Sequence, residues 1–209
     1  MYQIFNIETW KRKEAYNFFR TYDDPAFNLC SYIDTTNLYK FCKAEKHSFS
    51  LSMLYFSLQV ANEMEEFKLR ILDEKVIVFD KINCGSTIFN EDETFSFCYF
   101  DLTDSLREFE ETGKHNIETQ LKSKSFEPKI NELDLIHYSV IPWTAFSSIK
   151  HSRKFAQPNS IPKIAFGKYF TENHVMKMPI SIEVNHALMD GFHVGKYLNT
   201  LQNRINELI

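Results

Sequence analysis

Two histidines, an aspartate and a glycine lie close together near the C-terminus, in the segment EVNHALMDGFHVGKYL, residues 183–198. His186, Asp190 and Gly191 form an H-x-x-x-D-G pattern, and His193 follows it. A histidine side chain titrates near pH ~6.5, so its neutral ring can accept a proton at neutral pH. The pattern therefore permits general-base catalysis. Because such spacing is common, a histidine that only bonds a neighbouring carbonyl group remains the alternative.

The residues around this segment predict the elements that hold it. Before His186, apolar and polar residues alternate as in a half-buried strand, with Ile180, Ile182 and Val184 on one face and Ser181, Glu183 and Asn185 on the other. After Gly191, apolar residues recur at steps of three and four, which predicts a C-terminal helix. We therefore expect His186 at the end of a strand and Asp190 just before a glycine turn.

The remaining sequence predicts a mixture of strands and helices. Alternating or β-rich segments predict strands over 27–34, 76–80, 93–100, 133–143 and 161–170. Helical spacing predicts helices over 8–20, 48–67 and 102–123. Repeats and Pro/Gly/Ser linkers are absent from the sequence, so we expect one domain, 1–209, of the α+β or mixed α/β class.

Composition and charge exclude several functional classes. The net charge of −4 gives no electrostatic basis for binding nucleic acid. The four cysteines contain no C-x-x-C pair, so they do not predict a zinc site or a thioredoxin-like motif. The N-terminus lacks the apolar run of a signal peptide, and no segment approaches the ~18 apolar residues of a membrane span. We expect a reduced cytoplasmic protein without a metal and without membrane partners.

Aromatic residues are unusually frequent, with 20 phenylalanines and 10 tyrosines. They imply either a core filled with rings or a pocket lined with them, and composition leaves both open.

The segment NHALMDGFHVGKYLNTLQ resembles the C-terminal signature of the chloramphenicol acetyltransferase family, usually H-H-A-x-x-D-G-F-H. Other segments resemble further family landmarks in the same order: TWKRKEAYNFF, NEMEEFKLRILDEKVIVFD, ETFSF, SVIPWTAFSS and IPKIAFGKYF. The resemblance implies a two-layer α/β sandwich whose mixed sheet has helices on one face. It also implies a homotrimer with sites at the subunit interfaces and acetyl-CoA as co-substrate, with no permanently bound cofactor.

The resemblance also assigns roles to individual residues. His186 is the general base that takes the proton from an acceptor hydroxyl as its oxygen attacks the thioester. Ser139 matches the serine that donates to the oxyanion of the tetrahedral intermediate. Asp190 matches an aspartate that forms a structural salt bridge with Arg12. Without the resemblance, Ser139 has an ordinary role in a strand, and Arg12 is one of several basic residues on an exposed helix.

Ligand contacts are implied in the same way. Phe19, Phe27 and Phe95 match aromatic positions of the acceptor pocket. Tyr169 matches a tyrosine near the adenine of the coenzyme, and Trp143 belongs to the P-W landmark on the coenzyme side. For any one of these rings, packing in the core is the alternative.

Three residues depart from the family pattern. Asn185 replaces the first histidine of the usual pair, which is not the base. Lys163 stands where an apolar residue generally faces the acceptor pocket, and Ala165 stands where threonine is common. A buried ammonium is costly unless the acceptor supplies a polar partner or the side chain reaches solvent. The acceptor is therefore either chloramphenicol or a different small alcohol; a catalytically silent ligand-binding protein is the third hypothesis.

Overall fold

The computed structural model describes residues 1–129, 132–154 and 160–208. Strands and helices are interspersed along the chain, and a 3-10 turn at Ile7–Thr9 precedes the first helix. The elements are β1 (Tyr2–Ile4), α1 (Lys13–Phe19), β2 (Ala26–Asp34), α2 (Thr36–Glu45), α3 (Phe49–Glu63), α4 (Glu65–Lys68), β3 (Leu69–Leu72), β4 (Lys75–Phe79), β5 (Asn83–Phe89), β6 (Phe95–Phe100), α5 (Leu106–Ser123), β7 (Leu135–Ile141), β8 (Lys163–Gly167), β9 (Phe170–Glu172), β10 (Val175–Asn185) and α6 (Gly191–Asn206). Each predicted strand and helix is present, although three differ in extent. The predicted helix over 48–67 divides at Met64, the predicted helix over 8–20 is α-helical only over Lys13–Phe19, and the strand predicted over 161–170 ends at Gly167 before β9.

The main sheet has the strand order β2-β10-β8-β7-β5-β6, and β9 pairs with the far end of β10. The pairs β5–β7 and β7–β8 are parallel, whereas the other pairs are antiparallel. The sheet is therefore mixed, as the family resemblance implied. A smaller antiparallel sheet has the order β1-β4-β3.

The main apolar core lies between one face of the large sheet and the helices α2, α3, α5 and α6. Ile180 and Ile182 of β10 are fully buried there, together with Leu58 of α3, Phe109 of α5 and Val194 of α6. Because α3 is surrounded by this core, its apolar residues are distributed around the whole helix rather than along one stripe.

The opposite face of β10 corrects the expectation of a half-buried strand. Ser181, Glu183 and Asn185 are also buried, with 0, 3 and 5 % exposure. The chain segment 149–153 lies over this polar face, because the Asn28 side chain donates to the Ile149 carbonyl over 2.8 Å and Arg153 donates to Glu183 over 2.7 Å. Alternation predicted which face is polar but not that a distant segment covers it.

Arg70 of β3 joins the small sheet to the beginning of β7. Its side chain is fully buried and donates four hydrogen bonds of 2.7–2.8 Å to backbone carbonyl groups. Two of the acceptors, Leu133 and Leu135, flank the start of β7, and the other two are Phe67 and Leu69. A buried guanidinium is stable here because its donors meet carbonyl oxygens.

We predict that Arg70→Met lowers the free energy of unfolding by roughly 3–5 kcal/mol, because it removes the four hydrogen bonds that the buried guanidinium donates to backbone carbonyl groups. Urea unfolding followed by circular dichroism measures the loss, with the same dependence of the free energy on urea concentration used for each protein. Arg107→Met is the control, since Arg107 is exposed on α5. An Arg70→Met protein as stable as the Arg107→Met protein would contradict this structural role.

Candidate active site

His186 follows the last residue of β10, and hydrogen bonds hold its backbone on both sides. Its N–H donates to the carbonyl of Pro25 over 2.7 Å. Its carbonyl accepts from Nη2 of Arg12 over 3.0 Å. The histidine therefore has a fixed position although it lies outside regular secondary structure.

The imidazole ring of His186 is held by two aromatic side chains. It stacks on Phe19 with a centroid distance of 3.8 Å and an interplanar angle of 8°, and Phe27 lies 4.7 Å away at 48°. The Nδ1 atom is buried and has no hydrogen-bond partner within 1–129, 132–154 and 160–208. Nε2 is therefore the ring nitrogen that is available to a ligand.

Asp190 joins Arg12 to the beginning of α6. Arg12 Nη1 forms an ion pair with Oδ2 of Asp190, as expected from the resemblance. Oδ1 of the same carboxylate caps α6 by accepting from the Phe192 N–H over 3.0 Å, and His193 Nδ1 accepts from the Asp190 N–H over 3.1 Å. His193 thus belongs to a capping box. Burial raises the pKa of Asp190, but the positive charge of Arg12, the interaction with His193 and the hydrogen bond from the Phe192 N–H together hold that pKa below its ordinary value.

Asn185 forms part of the same turn. Its Oδ1 accepts a hydrogen bond of 2.9 Å from the N–H of Ala187, and the residue is 5 % exposed. The replacement of the usual histidine therefore places a side chain there that stabilises the turn after β10.

Ser139 lies in the parallel strand β7, directly opposite Ala165 of β8. It lines a cavity of about 600 Å³ on the sheet face opposite the helices, and Lys163 lines the same cavity. In the described part of the chain, the Ser139 hydroxyl makes no side-chain hydrogen bond, so it is available to donate to a ligand.

His186 does not line this cavity, although Glu183 and Asn185 do. Within one chain, the structure therefore does not bring Ser139 and His186 into the same cavity.

The predicted aromatic ligand contacts are dispersed. Phe19 and Phe27 pack on His186, whereas Phe95 lies on the edge strand β6, 45 % exposed, 5.3 Å from Phe126. None of the three lines the cavity that Ser139 faces.

The two residues matched to the coenzyme side are both exposed. Trp143 is 60 % exposed and packs edge-on against Phe89 at 4.9 Å. Tyr169 is 41 % exposed, lies 5.6 Å from Phe49 and borders a smaller cavity of about 140 Å³. Their accessible rings leave room for a ligand to stack on them.

Sequence reasoning missed an ionic network in the wall of the larger cavity. Glu183 lies 3.1 Å from Nζ of Lys163 and 2.7 Å from Nη2 of Arg153, and Arg153 forms a second ion pair with Asp24. Lys163 therefore has a partner within the protein, which corrects the expectation that only the acceptor or solvent would supply one. The available signal was that Glu183 lies on the polar face of its strand and that Lys163 is the one charged residue of the otherwise apolar strand β8.

The network also perturbs proton affinities. Burial raises the pKa of Glu183, but the hydrogen bond from Arg153 and the charge of Lys163 hold that pKa below its ordinary value. Burial, together with the charge of Lys163, lowers the pKa of His137 to about 4. At neutral pH the cavity wall therefore combines paired charges with a neutral imidazole.

Two kinds of feature are absent from the residues that the structure describes. Within 1–129, 132–154 and 160–208, no group of three or more His, Cys, Asp or Glu side chains has a metal-binding arrangement. In the same ranges, no helix has the length and apolar content needed to cross a membrane.

Comparison with known proteins gives one consistent family. The model of the family described as chloramphenicol acetyltransferase matches residues 1–202. A chloramphenicol acetyltransferase from Klebsiella sp is 28 % identical over 207 residues, which cover 99 % of this chain and 94 % of that protein.

Solved structures agree with this match. A chloramphenicol acetyltransferase with 28 % identity superposes with a TM-score of 0.86 and covers 98 % of this chain and 100 % of its own. A dihydrolipoamide acetyltransferase from Azotobacter vinelandii, 13 % identical, has a TM-score of 0.70 over 94 % of this chain and 87 % of its own. At that identity the second likeness concerns the fold alone.

We predict that Arg12→Met and Asp190→Asn each lower the free energy of unfolding by roughly 1–3 kcal/mol, less than the ~3–5 kcal/mol of a fully buried pair. Asparagine still caps a helix, so the second change isolates the charge. The double variant should lose much less than the sum of the single losses. Strictly additive losses in urea unfolding would contradict the pairing.

The same pair predicts a dependence on pH. The folded-state pKa of Asp190 is lowered, so its contribution to stability is present above the unfolded-state pKa and disappears as pH falls through the folded-state value. The penalty of Asp190→Asn should therefore shrink in acid. Lys13→Met is the control, since the Lys13–Glu8 pair on the same segment is solvent-exposed.

Proposed function

Because the chain belongs to the chloramphenicol acetyltransferase family, we propose that it is an O-acetyltransferase that uses acetyl-CoA and a small hydroxylated acceptor. Chloramphenicol, named in the relatives, is the first acceptor to test. The observation that carries the proposal is the rigid placement of His186 at a strand end, with Nδ1 enclosed and Nε2 left as the accessible nitrogen.

The proposed reaction is a direct transfer. Nε2 of His186 takes the proton of the acceptor hydroxyl while the hydroxyl oxygen bonds to the thioester carbonyl carbon of acetyl-CoA. The carbonyl oxygen becomes an oxyanion, to which the Ser139 hydroxyl donates a hydrogen bond. When the carbon–sulfur bond breaks, the thiolate of coenzyme A receives the proton from His186, which restores the neutral imidazole.

The proposed active site is shared between subunits of a homotrimer. Two features support it: Ser139 faces the larger cavity, and His186 of the same chain does not. In the proposed assembly, His186 of one subunit serves the cavity of the next. Phe19, Phe27, Phe95, Lys163 and Ala165 are then proposed to contact the acceptor.

The coenzyme is proposed to bind on the side of Tyr169 and Trp143. Both rings are accessible, and Tyr169 borders a small cavity. A stacked adenine would cover apolar ring surface, which favours binding.

One experiment separates this function from its alternatives. Purified protein is mixed with acetyl-CoA and a panel of hydroxylated acceptors, chloramphenicol included, and released thiol is followed. Release with chloramphenicol supports the proposed acceptor, and release only with other alcohols identifies a different O-acyltransferase. An absence of release with every acceptor, while the acceptors still bind, would indicate a silent ligand-binding protein.

For the base, we predict that His186→Ala lowers kcat by ~10²–10⁴-fold, the range expected for loss of a general base. Equilibrium binding of acetyl-CoA should change only a few-fold. His193→Ala is the matched control, because His193 belongs to the helix cap and its loss should lower thermal stability more than turnover. Greater loss of turnover in His193→Ala than in His186→Ala would reverse the assignment.

For the oxyanion, we predict that Ser139→Ala lowers kcat roughly 10²–10³-fold with little change in KM, since the hydrogen bond forms mainly in the transition state. A loss confined to KM would show that Ser139 only binds the acceptor.

The two variants also test the shared site. After refolding His186→Ala and Ser139→Ala chains together, some interfaces would combine an intact His186 with an intact Ser139. Activity well above that of either variant alone is the expected result. Mixed chains that stay inactive, or a fully active monomer in sedimentation equilibrium, would rule out sharing.

A further inference from the structure

Four polar residues form a continuous row across the middle of the main sheet. Asn28 of β2 lies directly opposite Glu183 of β10, Glu183 opposite Lys163 of β8, and Lys163 opposite His137 of β7. Residues directly opposite each other in a sheet project from the same face. Glu183, Lys163 and His137 all line the larger cavity, so the row forms its floor.

The charges in this floor are already balanced. Glu183 is paired with Lys163 and Arg153, and Asp24 is paired with Arg153. Two carboxylates thus face two cations, and His137 is neutral because burial holds its pKa at about 4. A ligand with a net charge would gain little attraction from this row, since an anion meets Glu183 and a cation meets Lys163. The other charged residues that line the cavity, Asp23, Lys129 and Lys154, are exposed to solvent.

The floor retains unused capacity for hydrogen bonds. In the described part of the chain, the ring nitrogens of His137 have no side-chain partner, and a neutral imidazole offers one donor and one acceptor. The Lys163 ammonium has three N–H groups, and it bonds Glu183 over 3.1 Å and the Ser152 carbonyl over 3.3 Å. An apolar group placed on this row would remove water from these groups without replacing its hydrogen bonds, which is costly.

The row lies at a defined distance from the proposed reaction centre. His137 and Ser139 are two residues apart in β7, so they project from the same face roughly 7 Å apart. When the hydroxyl of an acceptor reacts near Ser139, an acceptor group that lies at about that distance from the hydroxyl therefore contacts His137 and Lys163.

We propose that the Glu183–Lys163–His137 row is the acceptor-recognition surface, and that it selects acceptors carrying an uncharged hydrogen-bonding group, such as an amide or a hydroxyl, roughly 7 Å from the reacting hydroxyl. The inference rests on the proposed transferase function and specifies its substrate class. Lys163 and His137 are specificity-determining residues in this scheme.

Para-substituted benzyl alcohols test the selection, because the substituent lies at about the required distance from the hydroxyl. The series is para-(hydroxymethyl)benzamide, para-methylbenzyl alcohol, para-(hydroxymethyl)benzoate and para-(aminomethyl)benzyl alcohol. Thiol release from acetyl-CoA gives kcat/KM, and ligand-observed NMR titration without acetyl-CoA gives Kd. We expect kcat/KM for the amide compound to exceed that of the methyl, carboxylate and ammonium compounds by about tenfold or more, and its Kd to be lower by a similar factor. One well-placed hydrogen bond accounts for a difference of this size.

Two variants connect the preference to the row. Lys163→Met/Glu183→Gln removes one charge of each sign and leaves an amide at position 183 to accept from Arg153. His137→Leu alters the row without touching the ion pairs. Both variants should reduce the ratio of kcat/KM for the amide compound to kcat/KM for the methyl compound to about threefold or less. Lys177→Met/Glu172→Gln is the matched control, because it removes an ion pair of the same sheet outside the cavity and should keep the wild-type ratio.

Each outcome decides the proposal. Equal Kd values for the amide and methyl compounds, a preference for a charged compound, or an unchanged ratio in both row variants would overturn it. If no acceptor, chloramphenicol included, releases thiol, the transferase function fails; the NMR titrations then still decide whether the row selects uncharged hydrogen-bonding ligands.

Discussion

Neutralisation of one buried carboxylate is the constraint around which the main sheet is organised. Glu183 is 3 % exposed near the C-terminal end of β10, and a buried, unpaired carboxylate would be strongly destabilising. Lys163 from the adjacent strand and Arg153 from the covering segment each bond one of its oxygens. This carboxylate therefore ties the covering segment and the neighbouring strand β8 to β10 and contributes to the polarity of the cavity. The core on the other face imposes no such requirement, because its contacts are apolar and non-directional.

The end of the same strand carries the proposed chemistry, and long-range contacts fix it. Arg12, near the N-terminus, bonds both the His186 carbonyl and the carboxylate of Asp190. Asp190 also caps α6, so one side chain links the N-terminal segment, the turn after β10 and the last helix. Such a turn is held by several independent hydrogen bonds, which keeps the imidazole in place without a regular element around it.

Neighbouring positions of β7 are suited to different tasks. Ser139 presents an unengaged hydroxyl to the cavity, and His137 presents a neutral ring two residues away on the same face. The proposed role of Ser139 is in the reaction itself, whereas the proposed role of His137 is in the choice of the acceptor. This separation allows a shared transfer mechanism to coexist with a cavity floor of different polarity.

The sequence alone determined the fold class and the strand–turn–helix around His186, because these follow from local periodicity. The pairing of Arg12 with Asp190 was expected only from the resemblance to the chloramphenicol acetyltransferase family. The sequence did not reveal α2, β5 or the short strands β1, β3 and β9, whose patterns are too brief or irregular to distinguish them from loops. It showed that Glu183 lies on the polar face of its strand and that Lys163 stands in an otherwise apolar one, but only the tertiary structure made them partners and buried the polar face of β10. The physical reason is that periodicity reports which residues share a face, whereas the register of distant strands and the path of a covering segment decide what that face meets.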